Sequence, residues 1–405
     1  MKNLVVIGGG FAGFWSAISA VRQARFLDKD PLLKITIVSL DEYLSIRPRF
    51  YENKFEDMRI PLRKYFDPLG IVLNVGKVVR IDPKKKNVFW VGSKGQQEEV
   101  LSFDGLVLAA GSQLKCPFIS GFEHAFNVDT FESAVRLDNH IRELSAASFP
   151  LPASRTFVVV GASFTGLEVI TELPERVRSF ALPGIDYNFI LTDRSSSIAS
   201  EYSIDGQGYI AEQLNKEGIH FLPEEETDLI EPERILFKSG RCIETSTVIW
   251  CGGLEASSLT KEFEAKRDPL DRLLVDSFLR IESHESFFAA GDVANGLVDE
   301  QHSSVMSCQH AIPQGKFAGH NAVNALFGKD LISYSQPRYV TCLDLGSRQA
   351  LLTSGWDRMP QLTEMPAKIL KTEIVTQWII PASDVEETVK MSAPVIRTNE
   401  ADLAC

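Results

Sequence analysis

No apolar run in the chain is long enough to span a bilayer, so no transmembrane segment is expected. Positive charge is short as well: 42 Lys and Arg stand against 54 Asp and Glu, for a net charge of −12, and the basic residues form no long run. That argues against general binding to nucleic acid or to anionic membrane surfaces. Close cysteine spacings are missing. Cys116, Cys242, Cys251, Cys308, Cys342 and Cys405 include no C-x-x-C pair, so structural disulfides are not expected and a reduced, cytoplasmic setting is. The seven histidines show no metal-ligand spacing with cysteines or carboxylates, and no metal site is expected. The opening MKNLVVIGGG runs directly into a strand pattern, so no signal peptide is expected.

What the chain does have is two glycine-rich loops. VVIGGGFAG (5–13) and VVVGASFTG (158–166) each follow an apolar β-branched run and open a helix-compatible stretch. A strand turning tightly into a helix points free N–H groups and the positive end of the helix dipole at a pyrophosphate. Two such cradles imply two dinucleotides, and the economical pair is a bound flavin and a visiting nicotinamide. The 405 residues, 44% hydrophobic and 24% charged, suffice for two or three domains.

The pattern along the chain is βαβ, meander, βαβ. Residues 3–8 read as a strand, 12–27 as a helix and 34–39 as the next strand. Residues 71–108 read as a β-meander of VLNVGKVVRI, NVFWVG and GLVLAAG, with PKKK (83–86) as a solvated turn. A second βαβ unit takes strands at 156–160 and 188–192 around a helix from about 165; further strands fall at 246–250 and 287–291. Residues 303–326 read as a helix that Pro313 must kink or interrupt. AKILKTEIVTQWII (367–380) is amphipathic, stops at Pro381, and either packs on its own protein or touches lipid; an acidic tail follows.

In the first loop Gly8 serves the tight turn, Gly10 the approach to phosphate and Gly13 close helix packing, with Phe11 and Ala12 between them. In the second loop Gly161 and Gly166 hold the outer positions around Phe164 and Thr165, and Ser163 replaces the middle glycine, still presenting an N–H and adding a hydroxyl. An acid at the end of the second strand binds ribose hydroxyls. Asp193 fills that place in the second unit and favours NADH, while Arg194 beside it keeps NADPH open. The matching place in the first unit is Ser39. In FFAAGDVA (287–294), Gly291 precedes Asp292 at a strand tip, where a carboxylate can accept from the hydroxyls of a sugar-alcohol chain.

Together VVIGGGFAG, LVLAAGS (106–112), VVVGASFTGLE (158–168), TVIWCGG (247–253) and FFAAGDVA resemble the two-dinucleotide flavoproteins related to the pyridine nucleotide–disulfide oxidoreductases, over about residues 1–380. Within that group the chain is most similar to the type II NADH dehydrogenases, through DEYLSIRPRFYE (41–52), TVIWCGGLEAS (247–257) and SCQHAIPQGKFAGHNA (307–322). The resemblance implies an α/β fold with two Rossmann-like domains for FAD and NAD(P), a β-meander and a C-terminal α+β segment. FAD-binding residues would occupy 1–115 and 270–325, NAD(P)H-binding residues 116–269, and the C-terminal segment 326–405. It implies that Arg47, Ala110, Gly111, Gln309, His310 and Ala311 border the flavin and Gly252 the nicotinamide side. It places Glu168 beside the nicotinamide and Lys371, with Lys368 a weaker match, near the flavin; an N-terminal helix carboxylate and a solvated helix lysine are their plainer readings. Gln309 and Gln314 match the family's glutamine-rich segment, where Pro313 replaces a glutamine. His310 is either packed or a proton donor, and the helix start at Gln309 and His310 would stabilise negative charge on reduced flavin. Cys116, Cys308 and Cys342 are either small buried hydrophobes or close to the flavin.

The implied function is ping-pong transfer of hydride from NADH to FAD and then of electrons to a quinone or quinone-like acceptor. A soluble flavoenzyme acting on a specialised metabolite and a non-catalytic NADH sensor are the alternatives. Peripheral contact with the inner face of a membrane and a homodimer both stay open.

Overall fold

The computed structural model describes residues 1–93, 95, 97–145, 151–180 and 184–396. The apolar run of β1 (Lys2–Ile7) leads through the first glycine loop into α1 (Phe11–Phe26) and back along β2 (Leu33–Ser39). β3 (Val72–Asp82), β4 (Asn87–Gly92), β5 (Glu98–Ser102) and β6 (Gly105–Leu108) follow, then α2 (Phe131–Ser145). The second unit is β7 (Thr156–Val160), α3 (Phe164–Phe180), β8 (Asn188–Thr192), α4 (Ile204–Lys216), β9 (Ile219–Leu222) and β10 (Thr247–Trp250). β11 (Phe287–Ala289) and α5 (Cys308–Leu326) precede a C-terminal hairpin sheet of β12 (Val340–Asp344), β13 (Ala350–Ser354) and β14 (Met359–Thr363). Helices α6 (Glu364–Glu373) and α7 (Val385–Met391) end the described chain.

The first sheet runs β11-β6-β1-β2-β3-β4-β5. Its first five strands are parallel, and β3-β4-β5 turn antiparallel. This corrects the reading of 71–108. The third meander strand is Glu98–Ser102, not GLVL. GLVL is buried at all four positions and lies between β1 and β11, as suits an inner parallel strand. EEVLS is mostly exposed, so its strand character left no apolar signal. The second sheet, β9-β8-β7-β10, is all parallel. A short antiparallel pair, Ser112–Leu114 with Leu254–Ala256, ties the two connections between the sheets.

Two points concern the helices. α5 stays helical through Pro313. Proline has no N–H for the carbonyl of Gln309, one turn back, and the Gln336 side chain supplies the missing donor at 3.2 Å. The acidic segment after Pro381 includes α7, which packs on α1, with Thr388 and Val389 buried and Glu386 paired to Arg25 at 3.0 Å. The amphipathic stretch turns Ala367, Lys371, Val375 and Ile379 inward and leaves Ile369 exposed. Cys405 lies outside the described residues.

α1 and α5 pack against each other, and both rest on the first sheet. A Cβ on Gly315 would fall 2.3 Å from the Ala12 carbonyl oxygen, and one on Gly319 2.1 Å from that of Ser16, so these glycines let the two backbones touch. Ser16 and Ser19 donate across the same interface, to Gly315 at 3.0 Å and Lys316 at 2.7 Å, leaving no hydroxyl stranded between the helices. Among the described residues no helix is long and apolar enough to cross a membrane, and no group of three or more His, Cys, Asp or Glu residues could hold a metal ion.

Candidate functional site

The two loops have one backbone plan. Gly8 and Gly161 both adopt positive φ, +109° and +110°, where only glycine is unstrained. Their N–H groups donate to the neighbouring strand, to Val38 and Thr192, each at 2.8 Å. Gly10 has open space where a Cβ would be, which fits a ligand against its backbone. Its carbonyl accepts the first helical bond from Phe14 at 2.8 Å, and Ser163 does the same for Leu167 at 2.9 Å. No side chain caps the start of α1 and no acid sits in its first turn, so its leading N–H groups stay available for an anion. These observations fit a dinucleotide pyrophosphate. Phe11 is half-buried and Ala12 buried; in the second loop Phe164 is half-buried, and Ser163 and Thr165 are exposed.

The strand-end residues differ. Ser39 is buried, and a Cβ on Gly9 would come within 2.3 Å of its hydroxyl, so a serine there fills the corner that a third glycine leaves. Asp193 instead binds its own loop: one carboxylate oxygen accepts from Ala162 N–H at 2.7 Å and the other from Ser195 N–H at 2.8 Å. Arg194 is exposed beside it. Gly252 sits under the second loop, 3.1 Å from where a Gly161 Cβ would be, and accepts from the Trp250 indole at 2.8 Å.

Around the first cradle, Gly111 and Gly291 take positive φ, next to Ala110 and Ala311. The Gly291 N–H donates to buried Gln314 at 2.8 Å. Asp292 accepts from Ser112 at 2.7 Å, Arg47 donates to the same hydroxyl at 2.8 Å and stands 3.7 Å from Asp292, and its other guanidinium nitrogen contacts Asp129. Asp129 also accepts from Leu114 N–H at 3.1 Å. Asp129 has no sequence motif around it and was missed.

The four catalytic candidates behave differently. Glu168 and Lys371 come from α3 and α6 and meet at 2.6 Å, both side chains 6% exposed or less. Burial pushes the Glu168 carboxyl up to about 7 against the pull of Lys371. Burial works against charge on Lys371, yet Glu168 holds its ammonium above the ordinary range. Gln309 faces the backbone of Val340; with its amide oriented to match donor to acceptor, it donates to the Val340 carbonyl at 2.8 Å and accepts from the Val340 N–H at 3.3 Å. Lys371 donates to the Cys342 carbonyl at 3.0 Å, and Glu168 accepts from the Asp344 N–H at 3.1 Å. Residues 340, 342 and 344 present their backbone groups along one edge of β12, the edge away from β13. Three of the four candidates therefore grip that edge. His310 does not: it is 1% exposed, its Nδ1 lies 3.2 Å from Val305 N and O, and its Nε2 has no partner among the described residues. Burial pushes it down to about 4.

β12 also carries the groups that sequence reading passed over. Asp344 accepts from both Lys368, at 2.7 Å to each oxygen, and Tyr51, at 2.7 Å. Lys368, the weaker sequence match, thus holds a defined partner. The signal available for Asp344 was a lone acid inside an apolar run, which in a strand demands a partner. All five described cysteines are free; Cys342 is buried, and burial pushes its thiol up to about 12.

Residues 2–315 match the pyridine nucleotide-disulphide oxidoreductase family. A NADH dehydrogenase-like protein of Mycobacterium tuberculosis is 38% identical over 389 residues, covering 94% of this chain and 95% of its own length. A type II NADH:quinone oxidoreductase of Staphylococcus haemolyticus is 23% identical over 394 residues, covering 92% and 95%. The solved structure of a sulfide:quinone oxidoreductase from Aquifex aeolicus superposes with a TM-score of 0.74 at 18% identity, covering 97% of this chain and 92% of that one.

Proposed function

From the chain's membership of the pyridine nucleotide-disulphide oxidoreductases, we propose that it carries electrons from NADH through FAD to a quinone or quinone-like small molecule. FAD, when bound, supplies the two-electron chemistry linking hydride donor to acceptor. The first cradle takes its pyrophosphate on Gly10 and the leading N–H groups of α1, with Asp292 accepting from its hydroxyls and Arg47 fixing Asp292 through Ser112. The second cradle takes NADH, with Asp193 accepting from the ribose and its charge opposing a 2′-phosphate; exposed Arg194 leaves NADPH a weaker substrate.

NADH brings two electrons and one proton, whereas a quinone-like acceptor leaves with two electrons and two protons. The second proton comes from the chain and returns from solvent. The Glu168–Lys371 pair is placed to hold it, buried and shared across 2.6 Å. The observation that carries the reading is the convergence of Gln309, Lys371 and Glu168 on one edge of β12, because it puts the family-matched residues on a single wall. The test is anaerobic: NADH should bleach the flavin of the purified chain, and a water-soluble quinone should restore its colour. A protein that binds no FAD, or whose flavin NADH leaves oxidised, ends this reading.

A second reading, a small-molecule acceptor other than a quinone, is favoured by α7. It folds back on α1 and offers no amphipathic surface of its own to a membrane. Reoxidation by non-quinone acceptors with indifference to quinones separates the two.

A further inference from the structure

Glu168 and Lys371 are not an isolated pair. The groups that face Glu168 are Lys371 from α6, Asp344 and Cys342 from β12, Tyr51 from the loop after β2, and Tyr202 from the turn before α4; Glu172 stands one turn further along its own helix. Asp344 is the member with two roles. Its N–H donates to Glu168 at 3.1 Å, and its carboxylate is fixed by Lys368 on one side and Tyr51 on the other. Its side chain is 5% exposed and that of Lys368 18%, so the second pair reaches solvent through Lys368. Two ion pairs buried together cost desolvation that packed apolar residues would avoid. Their persistence at the wall where a proton is needed calls for a use.

We propose that Asp344, held by Lys368 and Tyr51, is a positioning residue that sets the pH at which the Glu168–Lys371 pair gives up and recovers its proton, an inference that rests on the function proposed above for its place in turnover. The physical basis is charge at close range. Asp344 stands as a negative neighbour to Glu168 and favours its protonated form, while Lys368 neutralises that neighbour and limits the effect. The two residues therefore act in opposite directions. Removing the carboxylate, in Asp344→Asn, leaves Lys368 unopposed and lets Glu168 ionise more readily. Removing the cation, in Lys368→Met, leaves Asp344 unopposed and holds the proton on Glu168.

The measurement is the infrared C=O band of the protonated carboxyl, followed from about pH 5 to 9 and assigned by its loss in Glu168→Gln. It needs no bound flavin. Asp344→Asn should move the midpoint down by about one pH unit and Lys368→Met should move it up by about one, with the double variant between them. A purely structural role predicts lower melting temperatures and midpoints that stay put or move together, and either result overturns the proposal. Should Asp344→Asn fail to fold, Asp344→Glu keeps the charge and must stay near the parent midpoint while Lys368→Met moves alone. In the FAD-loaded protein, the pH limb of quinone reduction must follow each infrared midpoint; a limb indifferent to both variants also overturns it. A chain that takes up no FAD removes the proposed function, and the infrared midpoints still decide whether Asp344 and Lys368 control Glu168.

Discussion

A Cβ placed on Gly13 would lie 1.8 Å from the Gly8 carbonyl oxygen, and one placed on Gly166 would lie 1.8 Å from that of Gly161. The two loops thus share the contact that seats a helix on its strand. The helices themselves do not match. α1 buries an apolar and small-residue surface against the sheet and α5 and carries no acid in its first turn. α3 carries two carboxylates, Glu168 and Glu172, that burial raises to about 7. One cradle is built into a core; the other borders a charged wall. The shared loop decides which class of ligand is held, and the helix behind it decides whether acid–base chemistry sits beside that ligand.

The sharpest way to break the shared part is to fill the glycine contact. Gly13→Val should abolish FAD uptake, and Gly166→Val should keep the flavin spectrum while losing reduction by NADH, each by at least about a hundredfold, since neither backbone oxygen has room to retreat from an inserted side chain. Flavin content and anaerobic bleaching read the two outcomes separately. If Gly166→Val loses flavin while Gly13→Val keeps it, the assignment of the cradles is reversed.

The shared part was also the legible part. Glycine at fixed offsets after a β-branched run is a local signal, and both βαβ units fell where that signal put them. GLVL was misplaced because pairing partners are not local: a short apolar run suits a hairpin or an inner parallel strand equally, and its partners β1 and β11, about 100 residues earlier and about 180 later, decide it. The same holds at the site. Glu168 and Lys371 were found through a resemblance, but Asp344, Tyr51 and Asp129 act through partners 293, 293 and 82 residues away in sequence, a distance no spacing rule covers. Pro313 does not interrupt its helix, and the donor that replaces its N–H, Gln336, lies in another segment.

The unshared part can be tested through stability. Glu172 gains affinity for its proton on folding, chiefly through burial, with its carboxyl raised to about 7. Folding therefore favours the protonated form: the full stability is present below the ordinary carboxyl range and is lost as pH rises through about 7. Glu172→Gln cannot ionise, so it should be more stable than the parent at alkaline pH by about 1–2 kcal/mol, with the advantage fading toward pH 5. Chemical denaturation at both pH values checks it. α1, with no acid in its first turn, has no equivalent substitution.

At the strand ends the contrast is narrower. Asp193 orders its loop through Ala162 and Ser195, while Ser39 fills a corner beside Gly9. Asp193→Asn should lower kcat/KM for NADH by about tenfold by removing a charged acceptor, and narrow the gap to NADPH. Ser39→Ala should change flavin retention far less. Equal losses from both would mean that the first cradle also binds its ribose through the strand end.

The smallest effect is expected where the two loops differ most plainly in sequence. Ser163 replaces the middle glycine, yet the structure gives it the same work as Gly10: its carbonyl accepts from Leu167 at 2.9 Å as that of Gly10 accepts from Phe14 at 2.8 Å, and its side chain is exposed. Glycine is needed at this position only if a Cβ blocks the approach of phosphate. An exposed serine leaves the N–H in place and adds a hydroxyl donor, so Ser163→Gly should move the KM for NADH by less than about threefold, the worth of one exposed neutral hydrogen bond. A tenfold weakening would show that the hydroxyl is a principal phosphate contact, and a tenfold tightening would show that its Cβ obstructs the site. Either would end the equivalence of the two loops as phosphate cradles.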